Sequence, residues 1–299
     1  MASLKELRAR IGSIKSTRKI TSAMKMVAAA KLRRAQASAE AARPYAAAMR
    51  RMLGELAAAT KGEEGAPRLL AGTGQDKVHL LVPITSDRGL CGGFNSNVNR
   101  LTLQTIKKLQ AEGKTVKLLP VGRRALSFFN REHANLIVDQ VIGFSGKEVP
   151  FSVASDLGNK VNALLEAGDI DVCTLVFNKF QNAMTQVPAC QQLVPMVVDD
   201  VVATASAASA PAEDAAQYEF EPDEATLLAM LLPRNLQVQI YASLLETAAG
   251  ENGARMTAMD NATRNAGRTI DSLSKVYNRT RQTNITNELI EIISGAQAV

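Results

Sequence analysis

The chain has no tryptophan, only 4% aromatic residues, three cysteines and two histidines in 299 residues. Each shortage closes off a class of protein. So few aromatic rings beside abundant alanine argue against an aromatic-rich β-sandwich and for helices packed through small side chains. Cys91, Cys173 and Cys190 are odd in number and lack CxxC spacing, so they support neither a disulfide framework nor a zinc site, and they point to a reducing compartment. His79 and His133 are the only imidazoles. His79 lies in a stretch that reads as a strand, and neither has metal-ligand spacing, so both are expected to be structural. No combination of nucleophile, base and orienting group can be assembled, which predicts no catalytic site, no metal and no cofactor. No apolar run approaches about 20 residues and MASLKELRAR lacks an apolar signal-peptide core, so neither secretion nor a membrane span is expected. Any membrane association would be peripheral.

What is present is a hydrophobic fraction of 46%, ample for a buried core, and an uneven charge. Residues 1–60 hold 13 Lys and Arg against Glu6, Glu40 and Glu55, a net +10, while the remainder of the chain is −4. Such a basic segment is either a solvated face or a surface for an acidic protein, nucleic acid or anionic lipid.

Ser3 and Glu6 fit a capping box, and Leu4, Leu7, Ile11 and Ile14 recur at alternating spacings of three and four. The seam continues through Thr17, Thr21, Met24, Ala28 and Ala35, with Pro44 able to kink the helix without ending it. A helix over residues 3–57 would be about 80 Å long at 1.5 Å per residue. Beyond a Gly-containing loop at 61–76, apolar runs at 78–84, 115–121, 135–142 and 171–178 read as strands, and 186–198 could add another. Helical stretches at 97–111, 122–131 and 151–167 separate them, which predicts an α/β unit with a mostly parallel sheet. Residues 203–216 are rich in Ala, Ser and Pro, as expected of a linker. From Asp223 the chain reads as helix again, and Met256, Met259, Thr263, Ala266, Ile270, Leu273, Tyr277 and Thr280 form a second heptad segment. Neither heptad stripe can be buried alone, so an antiparallel pair of terminal helices is predicted. The expected division is 1–60 as N-terminal coiled-coil helix, 77–200 as Rossmann-like α/β domain, 201–222 as flexible loop and 223–299 as C-terminal coiled-coil helix.

The most enzyme-like motif is SDRGLCGGFNSN (86–97), a Gly-rich turn leading from a strand into a helix, where phosphates often bind. Its spacing is not GxGxxG, and Phe94 stands where a phosphate-binding loop needs lysine. Gly89, Gly92 and Gly93 are instead expected to form a tight turn, with Asn95 or Ser96 capping the helix. The C-terminal tail carries more information. Past Thr280 the heptad positions become Asn284 and Asn287, while Ile285, Leu289, Ile290, Ile292 and Ile293 spread apolar bulk around the helix. Such a segment implies a socket in another protein. Arg264, Arg268, Lys275, Arg279 and Arg281 form a basic band just before it, either solvated or facing acidic partner loops.

Taken together, KELRARIGSIKSTRKITSAMKMVAAAKLRRAQ (5–36), TSDRGLCGGFN (85–95) and ARMTAMDNATRNAGRTIDSLSKVYNRTRQTNITNELIEIISGA (254–296) resemble the gamma subunits of bacterial F-type, or rotary, ATP synthases. The resemblance covers both ends and the middle in order, essentially the whole chain. It implies an α/β fold with a long antiparallel coiled coil of the N- and C-terminal helices plus a Rossmann-like middle domain. The implied function is the central shaft of a proton-translocating ATP synthase, non-catalytic itself, coupling rotation of the membrane c-ring to ATP synthesis or hydrolysis in the alpha/beta hexamer. Implied partners are the alpha and beta subunits, epsilon and the c-ring, on the cytoplasmic face of the bacterial inner membrane. By position, Arg281 and Gln282 match a pair contacting a beta-subunit catch loop, Thr286 lies one turn on, and Arg255 matches another contact in that ring. Met24 matches a position near the acidic lever of beta, where Lys25 adds a positive charge. Two alternatives remain beside it: a nucleic-acid-binding rod, for which the basic helix offers no aromatic interleaving beyond Tyr45, and a dinucleotide-dependent enzyme resting on the Gly-rich turn.

Overall fold

The computed structural model describes residues 3–59, 67–144, 146, 148–196 and 224–297. The proposed linker at 203–216 and the loop at 201–222 lie outside the described residues. The elements in order are α1 (Leu4–Ala59), α2 (Arg68–Ala71), β1 (Val78–Pro83), α3 (Phe94–Ala111), β2 (Thr115–Leu118), α4 (Arg123–Glu132), a 3₁₀ turn (Ala134–Leu136), α5 (Phe151–Glu166), β3 (Val172–Phe180), β4 (Gln186–Val194) and α6 (Glu224–Gln297). Two compact units emerge, one from Met1–Ala29 with Arg255–Val299, the other from Ala30–Ala254.

In the first unit α1 starts on the capping box read from the sequence. The Glu6 amide donates to Ser3 Oγ at 3.2 Å and the Ser3 amide to Glu6 Oε2 at 3.0 Å, so two otherwise unmet donors are satisfied. The two helices run antiparallel: Thr21 Oγ1 lies 2.7 Å from Thr263 Oγ1, and four residues later on α1 Lys25 Nζ lies 2.6 Å from Asp260 Oδ1, three residues earlier on α6. Leu7, Thr21, Ala28, Met259, Ala266 and Ile270 are buried along the seam. Thr17, expected within it, is exposed and bonds back to the Ser13 carbonyl instead. An α-helix repeats every 3.6 residues, so a strict three-four stripe drifts off the contact line.

The second unit is built on a four-stranded sheet ordered β2-β1-β3-β4. β1 is parallel to β2 and β3, whereas β4 returns antiparallel from β3. The reversal is local: Asn182 Oδ1 accepts the amides of Met184 and Thr185, both at 2.9 Å, closing the turn with a side chain. One sheet face packs Leu80, Val82, Cys173 and Leu175 against Leu157 and Val161 of α5 and Leu236 and Ile240 of α6. The other packs Leu81, Val116 and Leu118 against Ile106 of α3 and Phe129 of α4. Gly250 on α6 permits a close approach to the start of α3, because a Cβ there would sit 2.9 Å from the Phe94 ring.

The strand expected at 135–142 does not form. Residues 134–136 make a 3₁₀ turn, and only isolated parallel bridges join Leu118 to Ile137 and Val121 to Val141. Pro120, in the facing segment, has no amide to donate, so a ladder cannot continue through it.

Candidate functional site

At the end of β1 the Gly-rich loop is tied down by its own chain. Asn95 does not cap α3, whose first residue is Phe94; its side-chain oxygen accepts the Ser86 amide at 2.9 Å and holds the loop to the strand end. Ser96 does not cap it either; its hydroxyl donates to the Gly93 carbonyl at 3.2 Å. The first turn of α4, across the strand ends from this loop, is also taken. Asp87 Oδ1 accepts the Arg123 amide at 3.1 Å, the Ser86 carbonyl that of Arg124 at 3.2 Å, and Thr85 Oγ1 that of Ala125 at 2.8 Å. A carboxylate of the chain itself therefore occupies the positive end of the helix dipole. Gly122 is required at this crossing: its φ is +93°, and a Cβ there would lie 2.2 Å from the Thr85 carbonyl oxygen. Beside the loop, a cavity of about 500 Å³ between α3 and α4 is lined by Arg100, Arg124, Arg131 and Phe128 among others. No nucleophile paired with a base lines it.

The other reactive groups are equally engaged in structure. His79 is buried in β1 with Nε2 2.6 Å from Asp76 Oδ1, and Asp76 also accepts from Lys114 Nζ at 2.7 Å. The Lys114 and His79 hydrogen bonds hold the Asp76 carboxyl below the usual carboxylate range. Burial pushes the Cys173 thiol up to about 12, which leaves it without thiolate at neutral pH. Cys91 is buried too, its sulfur accepting from Asn95 Nδ2 at 3.2 Å, and Cys190 is exposed. Among the described residues no group of His, Cys, Asp and Glu is placed to hold a metal ion.

The helix pair offers something different. Extending the Thr21–Thr263 register by 17 residues in both directions sets Leu4, the first residue of α1, opposite Thr280. From 281 onward α6 has no partner on α1, and residues 281–294 are all exposed. Ile285, Leu289, Ile290, Ile292 and Ile293 are between 48% and 68% exposed, an apolar surface wrapped around a single helix. Arg281, Gln282 and Thr286 sit at the base of this segment, Thr286 Oγ1 donating to the Gln282 carbonyl at 2.9 Å. Met24 and Lys25 lie farther back, level with Asp260, and Arg255 is half-buried nearby in sequence. Arg255 and Arg281 are about 40 Å apart along α6 at 1.5 Å per residue. The expected contact residues thus form two zones. Of the basic band, Arg264 pairs with Asp260 at 2.8 Å, whereas Lys275, Arg279 and Arg281 have no acidic partner among the described residues. Asp260, central to this zone, was not among the residues singled out from sequence. Its only signal was being one of two acids, with Asp271, in a basic stretch.

A helix pair ending in an apolar segment exposed among the described residues, joined in sequence to an α/β unit, is the architecture of an interaction subunit rather than of an enzyme's reaction centre. Comparison with known proteins gives the class a name. A family model described as ATP synthase matches residues 3–299. The ATP synthase gamma chain of Gluconacetobacter diazotrophicus is 67% identical over the full length of both chains, and that of Gluconobacter oxydans 62%. Among solved structures, a chain of the Tetrahymena thermophila mitochondrial ATP synthase central stalk/c-ring is 28% identical with a TM-score of 0.58, covering 81% of this chain and 99% of that one. A chain of the Euglena gracilis mitochondrial ATP synthase OSCP/F1/c-ring assembly shares the fold at 21% identity, with a TM-score of 0.65 over 99% and 94% of the two chains. The chain belongs to the ATP synthase gamma chain family. It is a central-stalk, rotor subunit of an F-type ATP synthase and a non-catalytic one. Among the described residues, no helix is long and apolar enough to cross a membrane.

Proposed function

We propose that this subunit is the shaft that couples turning of a membrane c-ring to proton-driven ATP synthesis, or to hydrolysis, in a hexamer of alpha and beta subunits. The helical ends (1–60 and 223–299) form the shaft, the body at 77–200 sits with epsilon on the c-ring, and 201–222 links body to shaft. Membrane association would then be peripheral, on the cytoplasmic face of the bacterial inner membrane.

The observation that carries this reading is the apolar segment past Thr280, exposed among the described residues. Apolar surface wrapped around the end of a long helix is costly to leave in water, so its favoured state is enclosed by partners. Arg281, Gln282 and Thr286 at its base would meet the beta-subunit catch loop. Arg255 and Met24 would serve a second zone, Met24 near the acidic lever of beta, with the positive charge of Lys25 beside it held by Asp260. An asymmetric shaft meets three chemically identical catalytic subunits differently, and its orientation selects which is open, loose or tight for nucleotide. Equal contact with all three would shift nothing. Replacing Arg281 and Gln282 together by alanine should weaken coupling and ATP turnover in the reconstituted complex while the purified subunit stays folded. Unchanged turnover would overturn the assignment.

A further inference from the structure

We propose that Lys25 and Asp260, with Thr21 and Thr263 one turn away, are positioning residues that fix the register of the two terminal helices and thereby the height and facing of the apolar end. The idea rests on the shaft reading above, since register matters to function only if that end meets partners.

Much of the buried seam is composed of small and unbranched side chains: Ala28, Met259 and Ala266. Such residues stick well but specify poorly, because a helix slipped by one heptad would again bring alanine and methionine into contact. Polar groups across a seam are what select one stagger. Here two such contacts coincide. Thr21 and Thr263 share a hydrogen bond at 2.7 Å, and each is anchored to its own helix, Thr21 Oγ1 to the Arg18 carbonyl at 3.1 Å and Thr263 Oγ1 to the Met259 carbonyl at 2.8 Å. Asp260 gives each oxygen one cation, Oδ1 to Lys25 across the seam at 2.6 Å and Oδ2 to Arg264 on its own helix at 2.8 Å. Arg264 thus steers the carboxylate, and Asp260 in turn holds Lys25.

The pair is partly exposed, with 45% of the Lys25 side chain and 30% of that of Asp260 open to solvent. Its contribution to folding is correspondingly small; its effect is on geometry. A slip of one heptad would carry the apolar end about 10 Å along the axis, at 1.5 Å per residue. It would also place Lys25 level with residue 267 or 253, both glycine, where no carboxylate waits.

The test is a charge exchange in the assembled, membrane-bound complex, with register read by cross-linking. Ile14→Cys and Ile270→Cys, opposite one another in the present register, report the native stagger in a background where Cys190 is serine. Lys25→Asp alone and Asp260→Lys alone should each reduce that cross-link and lower ion pumping per ATP hydrolysed by about two- to tenfold, the lower part of the range of coupling between contacting residues, as suits a partly exposed pair. Lys25→Asp combined with Asp260→Lys should restore both to within about twofold, the residue arising from the new like-charge pair with Arg264. If the exchange stays as defective as Lys25→Asp alone while the cross-link is intact, Lys25 acts outward on a partner and the register proposal is overturned, though the shaft reading survives. Unaltered cross-linking and pumping in both single variants would also overturn it.

Discussion

Consider Ile290→Ala together with Ile293→Ala in the uncovered end of α6. Each change removes three carbons, worth about 2.4 kcal/mol if transferred fully from water, at about 0.8 kcal/mol per methylene. In the free subunit 55% of Ile290 and 57% of Ile293 is exposed, so docking can bury little more than half of each. The expected loss is therefore about 1.3 kcal/mol per site and about 2.6 kcal/mol for both, a weakening of about 50- to 100-fold at 1.4 kcal/mol per decade. The isolated subunit should be unharmed, because among the described residues both side chains are more than half exposed and alanine is the better helix former. Cys190 is the exposed thiol, so a maleimide dye placed there allows the labelled subunit to be titrated with the alpha/beta complex. Affinity within about threefold of the parent would refute the enclosed-end reasoning, at a position where tenfold is about 1.4 kcal/mol. A drop of several degrees in Tm of the free subunit would refute it differently, by showing that the two isoleucines are already buried.

Two further outcomes concern the α/β unit. Asp171 is buried, accepts from Thr73 Oγ1 and from the amides of Lys77 and Val78 at 3.0 and 2.9 Å, and the Thr73 bond above all holds its carboxyl below the ordinary range. A depressed folded-state pKa stabilises above the unfolded value and is lost as pH falls through the folded one, so Asp171→Asn should cost about 1–3 kcal/mol at pH 7 and flatten the loss of stability below about pH 4. An unchanged urea midpoint across pH 3 to 7 would contradict that. Gly122→Ala forces a Cβ within 2.2 Å of the Thr85 carbonyl at a φ of +93°, and should lower stability by about 3–5 kcal/mol, seen as a large shift in the denaturation midpoint.

Where the sequence could be read and where it could not follows from how local each signal is. The capping box at Ser3 and Glu6, the three-four stripe of Met259, Ala266 and Ile270 and the strand at 78–83 rest on neighbours in the chain, and each stands as expected. The strand expected at 135–142 failed because its fate depended on Pro120 in another segment. The first half of α6 reads simply as more helix, yet Leu232, Leu236, Ile240 and Leu244 pack on the sheet; their spacing was visible, but what they would face was not. The same limit hid Asp260, whose role exists only when Lys25 arrives from residues more than two hundred positions away. The departure of the tail from its partner was legible, because the loss of apolar heptad positions at Asn284 and Asn287 is written in one stretch.

Asp87 has a consequence of its own. A helix N-terminus carries a partial positive charge that attracts any free anion. By seating its own carboxylate on the first turn of α4, the chain fills that positive helix end from within. Filled by the Asp87 carboxylate, which also accepts the Gly143 amide at 3.0 Å, that end of α4 is closed to outside anions and stapled to the loop that carries Gly143.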